Sequence, residues 1–290
     1  MHMLIDTHGH VNFNAFKEDV DEVIKKALDK GISIVMPGSQ YSTSRRAVEI
    51  AERYESSVYA AIGIHPIHLE KREVDVAEVQ SEEVVEQPWM LFETRGEQFE
   101  YEQYAQLTES EKVVAIGEIG LDYYRQPKNK GLRKEYREKQ QETLREQIQL
   151  ALDKDLPVIL HCRVAFGDMI EILRETKGKL RGVMHSYTGD VEQAKELAGL
   201  GFYFGFNGLI FKEVASLPDP AEVISSIPLD RIVLETDSPY LVPPQAGIER
   251  NEPVFVEYIA NRVAEIKGVG RKEVDMVTTE NAKELFNLPD

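Results

Sequence analysis

Cysteine is nearly absent. Cys162 is the single thiol in 290 residues, so no disulfide can join two parts of the chain, and a reducing, cytoplasmic setting is the expectation. Tryptophan is also used once, at Trp89. No run of about 18 apolar residues occurs, which excludes an ordinary membrane-spanning helix. The first residues hold no basic-then-apolar leader, so no secretory signal is expected. Positive charge is scarce too. The formal net charge of −17 argues against broad electrostatic affinity for nucleic acid. What is left is an ordinary globular composition, long enough for one large α/β domain spanning residues 1–290.

The charge is unevenly placed. Residues 70–112 carry thirteen acidic and four basic side chains, whereas Arg125 to Lys139 (RQPKNKGLRKEYREK) holds seven basic and two acidic ones. A solvated helix start with i,i+4 pairs, Lys134 with Glu138 and Glu135 with Lys139, accounts for the basic segment without any function.

Apolar, β-branched runs of strand length recur along the chain: LID (4–6), ISIVM (32–36), VYAAIGI (58–64), VVAIGEI (113–119), PVILH (157–161), GVMHS (182–186), FYFGF (202–206) and RIVLET (231–236). Helical patterns separate most of them, at Val20 to Leu28, Ser42 to Tyr54, Lys134 to Leu152, Phe166 to Thr176 and Val191 to Leu197. Two more follow, at Pro253 to Ile266 and Arg271 to Phe286. Near-continuous apolar strands alternating with helices indicate parallel strands buried on both faces. Eight such units predict a TIM (β/α)8 barrel. Between the third and fourth strands the chain is longer than one helix needs, so residues 70–112, with Trp89 in QPWMLFE, are expected to form an inserted helical excursion.

Six polar residues fall at or just past strand ends. His8 and His10 follow the first strand, Glu118 lies near the end of the fourth, His161 and His185 end the fifth and sixth, and Asp237 follows the eighth. All six belong to the C-terminal rim, where barrel enzymes build their sites. Singly, each has a structural explanation, such as a satisfied core histidine or a turn-capping aspartate. Together they would bury many polar groups with few partners unless a cation joined them. Four imidazoles and two carboxylates exceed the needs of one tetrahedral ion. Two divalent ions about 3.5–4 Å apart, bridged by Glu118, use the whole set. In this scheme His8, His10 and Asp237 complete one position, and His161 and His185 the other. Nitrogen and oxygen donors without thiolate suit zinc, manganese, magnesium or similar ions. Cys162 should point to the other face of its strand.

DTHGH, GIHP, AIGEIGLDYY, HCR, HSYTG, ETDSPYL and RNEP together resemble the TatD family of metal-dependent deoxyribonucleases, within the amidohydrolase-like barrels. The resemblance implies a TIM barrel and places the family's metal ligands on His8, His10, Glu118, His161, His185 and Asp237. Three departures stand out. Gly9 replaces a frequent cysteine, which should be harmless because that side chain is not a ligand. Val164 follows HCR where an acidic residue is common, and the acidic excursion is longer than usual.

The resemblance implies hydrolysis of phosphodiester bonds in DNA, from a single-stranded or frayed end. Asp237 would then be general base as well as ligand, with Glu118 fixing the spacing of the ions. Arg125 and the lysines near it, with Arg163, would contact the phosphate backbone, and Tyr123 or Tyr124 would stack on a base. His65 in GIHP would assist at the rim. Asn251 and Glu252 read as the N-cap region before Pro253. A monomer is compatible with the sequence. Two other readings share the ligand set: a barrel hydrolase of a small amide, ester or phosphoester, and a metal-binding scaffold without turnover.

Overall fold

The computed structural model describes residues 4–75 and 90–289. Its strands are β1 (Leu4–Asp6), β2 (Ile32–Pro37), β3 (Val58–Ile62), β4 (Glu73–Asp75), β5 (Leu91–Glu93), β6 (Val113–Asp122), β7 (Val158–Arg163), β8 (Gly182–Met184), β9 (Tyr203–Phe206) and β10 (Ile232–Leu234). The helices, numbered in chain order, are α1 (Val20–Asp29), α2 (Tyr41–Ala51), α3 (Tyr101–Leu107), α4 (Lys130–Asp153), α5 (Phe166–Glu175), α6 (Val191–Gly199), α7 (Pro220–Ser226), α8 (Val256–Lys267) and α9 (Arg271–Phe286). Eight strands form one parallel sheet in the order β1-β2-β3-β6-β7-β8-β9-β10. The sheet curls until its edges meet, where the Thr7 N–H and hydroxyl both donate to the Leu234 carbonyl at 3.0 Å. The expected barrel is therefore present.

Strand side chains alternate between two apolar layers, as the pleat requires. Ile5, Val35, Tyr59, Val114, Ile159, Val183, Tyr203 and Val233 fill the barrel interior, and Leu285 and Phe286 at the end of α9 join them. The larger cluster joins the outward-facing residues, such as Ile34, Leu160 and Phe204, to the surrounding helices. His161 and His185 continue the interior-facing register of Ile159 and Val183, so the strand period itself aims them into the mouth. Cys162 is buried on the opposite side, in the larger cluster.

Between β3 and β6 the helical excursion contains α3 and, in addition, an antiparallel ribbon pairing Glu73 with Glu93 and Asp75 with Leu91. Its short strands gave no alternation long enough to be noticed. Trp89 and the rest of 76–89 lie outside the described residues. The excursion's base is held by the basic segment. The Lys139 ammonium donates to the Leu69 carbonyl at 2.6 Å and to the Glu70 carboxylate at 2.9 Å, and the Arg72 guanidinium donates to the Tyr136 hydroxyl at 3.1 Å. Lys139 thus pairs with Glu70, not with Glu135. The Lys134–Glu138 pair forms as expected.

Helix α4 starts at Lys130, a turn earlier than its apolar spacing indicates, because the Asn129 side chain accepts from the Gly131 and Leu132 N–H groups. Helix α7 was not expected. Its signal was the Asp219–Pro220 pair, with Asp219 capping the Ala221 N–H at 2.9 Å.

One backbone position decides how closely β6 and β7 approach near the mouth. Gly120 sits at φ 150° opposite His161, and a Cβ there would lie 1.9 Å from the His161 carbonyl oxygen. A side chain would force apart the strands that bring His161 to Glu118. Gly120→Ala is expected to destabilise the protein by about 1–3 kcal/mol, measured as a shift of the urea-unfolding midpoint at unchanged slope. An unaltered midpoint would contradict this packing account.

Candidate metal centre

Asp6 ends β1, the chain bends at Thr7, and Gly9 forms an isolated bridge with Ser238. The Gly9 N–H donates to the Val35 carbonyl, the His10 N–H to Ser238 and the Asp237 N–H to His8. This alternation places His8 and His10 on one side with their Nε2 atoms 3.0 Å apart. The same lacing holds Asp237, whose left-handed backbone (φ 56°) is one that aspartate tolerates better than most residues. Asp6 secures the junction, accepting from the Thr236 N–H at 2.8 Å and the Thr236 hydroxyl at 2.7 Å. A Cβ at position 9 would come within 2.7 Å of this carboxylate. A side chain at position 9 therefore requires the Asp6 carboxylate to shift.

The Glu118 carboxylate lies at the centre. Its Oε2 faces His8 Nε2 at 3.4 Å and His10 Nε2 at 3.6 Å. Its Oε1 faces His161 Nδ1 at 3.0 Å, His65 Nε2 at 3.4 Å and His185 Nε2 at 3.8 Å. Asp237 Oδ1 approaches His10 at 3.5 Å, His185 at 3.9 Å and His8 at 4.0 Å. The six rim residues expected to converge thus do so, within one buried cluster. His8, His10 and Asp237 form a compact trio, as do His8, Glu118 and His185. His161 instead groups with Glu118 and His65.

Groups behind the imidazoles fix which nitrogen carries hydrogen. His10 Nδ1 lies 3.1 Å from the Pro37 carbonyl, which can only accept, so Nδ1 is the donor and Nε2 presents its lone pair to the cluster. His185 Nδ1 lies 2.9 Å from Glu235 Oε1, an ion-pair contact that leaves Nε2 facing the cluster. His65 is the reverse. Its Nδ1 accepts from the Ile67 N–H at 3.0 Å, so Nε2 carries the hydrogen that points at Glu118. His65 is a donor at the mouth and not a ligand, although it lies close enough to be one. His161 meets carboxylates on both sides, Glu118 at Nδ1 and Asp122 Oδ2 at 3.5 Å from Nε2.

Electrostatics separate these groups. Burial, reinforced by the His185 charge, lowers His8 to about 4. Burial acts the same way on His185, but Glu235, Glu118 and Asp237 outweigh it and raise that ring to about 10. Glu118 is pushed upward by burial, yet the surrounding imidazoles of His65, His8 and His161 hold it well below the usual carboxylate range. The centre therefore stays ionised without solvent. The inward lone pair on His10, the imidazoles clustered around it and the two carboxylates, Glu118 and Asp237, are nitrogen and hard oxygen donors that fit divalent cations.

Other expected contacts divide. Tyr123 is buried, its hydroxyl donating to Asp168 at 2.8 Å and accepting from Gln141 at 3.0 Å, which leaves no face for a base. Tyr124 is 53% exposed and lies against the Arg163 guanidinium, 3.6 Å from its ring centre. Arg125 is half-buried beside it. Arg133 turns inward to the Pro127 and Lys128 carbonyls, while Lys128 and Lys130 are exposed. Asn251 is buried and donates to the carbonyls of Thr236, Tyr240 and Leu241, stitching the loop after β10. Glu252 caps nothing with its side chain and instead pairs with Lys26 at 2.5 Å. Sequence reading passed over Asp6, Asp122 and Glu235. Each is an acid within two residues of a strand end that carries a ligand-type residue, which is the signal that would have found them.

A family model for TatD related DNases matches residues 5–287. The chain is 38% identical to YabD, an uncharacterised metal-dependent hydrolase of Bacillus subtilis, over 99% of this chain and 100% of that protein. It is 30% identical to the 3′-5′ ssDNA/RNA exonuclease TatD of Erwinia tasmaniensis, over 98% and 100% of the two. The crystal structure of YjjV, a TatD homologue of Escherichia coli, matches with a TM-score of 0.80 at 30% identity, covering both chains fully. On these matches, and with this barrel and its buried donor cluster, the chain belongs to the TatD family of metal-dependent hydrolases.

Proposed function

We propose that this hydrolase cleaves phosphodiester bonds of DNA at a single-stranded or frayed end, using two divalent ions held by His8, His10, Glu118, His161, His185 and Asp237. The observation that carries the reading is the division of the Glu118 carboxylate, one oxygen facing His8 and His10 and the other facing His161 and His185. Such a carboxylate has the arrangement of a bridge between neighbouring positions. When bound, the ions lower the pKa of a water and neutralise the phosphoryl oxygens.

The chain's own groups take the remaining roles. Asp237 is less enclosed than Glu118, and its oxygen accepts the proton of the attacking water. The neighbouring His10, His185 and His8 hold its carboxyl below the usual range against the effect of burial, so it is ionised and ready to accept. His65 offers its Nε2 hydrogen to a phosphoryl oxygen entering beside Glu118. Arg163 and Tyr124 form a flat cationic and aromatic ledge at the rim, suited to a phosphate and the base attached to it. Arg125, Lys128 and Lys130 supply local positive charge, which compensates for an acidic surface elsewhere.

Three outcomes are expected. Asp237→Asn should lower cleavage of a single-stranded oligonucleotide by about 10²–10⁴-fold with little change in thermal unfolding, and an unchanged rate would remove Asp237 from the mechanism. Chelation should lower unfolding free energy by about 3–4 kcal/mol relative to protein saturated with manganese or zinc at 100–1,000 times Kd. His161→Ala should shrink that difference, and a full metal response in the variant would contradict the ligand set. Lys128→Glu combined with Lys130→Glu should weaken cleavage of a strand and flatten its salt dependence while sparing a small neutral ester. Equal losses on both substrates would instead point to damage at the centre.

A further inference from the structure

Arg163 is the last residue of β7, two positions beyond His161. Side chains two apart on a strand share a face, so Arg163 stands on the side of the sheet that carries His161 into the mouth, one pleat further out. Two residues of strand advance the chain by about 6–7 Å, comparable to the length of a nucleotide in an extended strand. The neighbouring strand fixes the same position. Asp122 pairs with Arg163 in the ladder, and the Tyr123 N–H donates to the Arg163 carbonyl at 2.9 Å.

The Arg163 guanidinium is half-buried, and among the described residues it makes no hydrogen bond and no ion pair. It lies instead against the face of the Tyr124 ring, 3.6 Å from the ring centre. Acids are not scarce, with 51 Asp and Glu against 34 Lys and Arg. The two acids of the adjoining segments are engaged elsewhere. Asp122 accepts from the Tyr124 N–H at 2.9 Å and faces His161 with its other oxygen, and Asp168 accepts from Tyr123 and Gln141 at 2.8 Å each. Stacking uses the flat face of a guanidinium, whereas its N–H donors lie in the plane and point out from the edges. The edge of Arg163 is therefore unclaimed on the rim beside His161. A half-buried cation without an anion is costly in the free protein.

We propose that Arg163 holds the phosphate next to the scissile one, so that the preferred substrate is a strand with at least two consecutive phosphodiesters. The inference rests on the phosphodiesterase reading and names which phosphate the rim recognises. A strand cut at its last linkage has one flanking phosphodiester, the next one inward. The edge of an arginine meets the two free oxygens of such a group with paired, charge-assisted hydrogen bonds. A chain of net charge −17 gains little from distant attraction to a strand, so recognition falls to close contacts of this kind. A small phosphoester has nothing to place there.

A cycle that removes each charge in turn tests the contact. Initial rates of terminal-nucleotide release are measured with manganese on a short single-stranded oligonucleotide and on the same strand carrying an uncharged methylphosphonate at its second linkage, with each end tested in turn. Wild type is expected to lose about 10–100-fold in kcat/KM on the neutralised strand, a comparison that depends on no variant. Arg163→Gln should show a loss of that size on the native strand and no further loss on the neutralised one. Arg163→Lys, which keeps the charge without the planar fork, should fall between the two on the native strand. An equal penalty for neutralisation in wild type and Arg163→Gln would overturn the contact. Cleavage of both strands by wild type at equal rates leaves the phosphodiesterase reading intact and refutes only the flanking contact. If wild type cleaves neither strand under any of manganese, zinc or magnesium, that reading itself fails and takes this inference with it.

Discussion

Five imidazoles surround the Glu118 carboxylate, and the rest of the molecule is arranged to make that crowding tolerable. A carboxylate at 5% exposure would ordinarily be driven towards its neutral form by the loss of water. Here His65, His8 and His161 outweigh the loss, and the carboxylate stays charged. Its two oxygens then divide the histidines into two groups. The positions of the ring nitrogens, not their number alone, turn a cluster of buried polar groups into a set of donors for cations.

That arrangement depends on residues one step behind the cluster. The Pro37 carbonyl takes the hydrogen of His10 Nδ1 and so aims the opposite lone pair inward, while Glu235 lies 2.9 Å from His185 Nδ1 as its ion-pair partner. The Ile67 N–H does the opposite to His65 and makes it a donor. Behind these, Asp6 and Thr236 join the first and last strands of the barrel at the place where His8 and Asp237 must meet. Closure of the sheet and assembly of the site are thus one structural event. Glycine at positions 9 and 120 permits it, by leaving space for the Asp6 carboxylate and the His161 carbonyl.

Much of this was legible in the sequence because a parallel barrel has strong local signatures. Continuous apolar strands such as VVAIGEI and PVILH identify themselves, and the polar residue at the end of each marks the functional rim. The convergence of His8, His10, Glu118, His161, His185 and Asp237 followed from that single rule. Tautomers did not, since they depend on which backbone group happens to lie behind each ring. The choice between Tyr123 and Tyr124 was equally hidden, because adjacent residues at a strand end differ only in the direction they face. The ribbon of β4 and β5 went unseen for a simpler reason: three-residue strands with partners some eighteen residues away carry no periodicity.

Charge places the basic segment in a structural role as well. Lys139 and Arg72 join α4 to the base of the acidic excursion, so part of the positive run serves the fold and only its exposed start is left to face a ligand. The central claim remains the grip of the buried cluster on divalent cations. Anomalous X-ray diffraction from crystals grown with manganese tests it most directly. Strong anomalous density between the Glu118 oxygens and the flanking imidazoles, in two peaks about 3.5–4 Å apart, is the expected result. Manganese bound elsewhere, with that centre empty of anomalous signal, would contradict it.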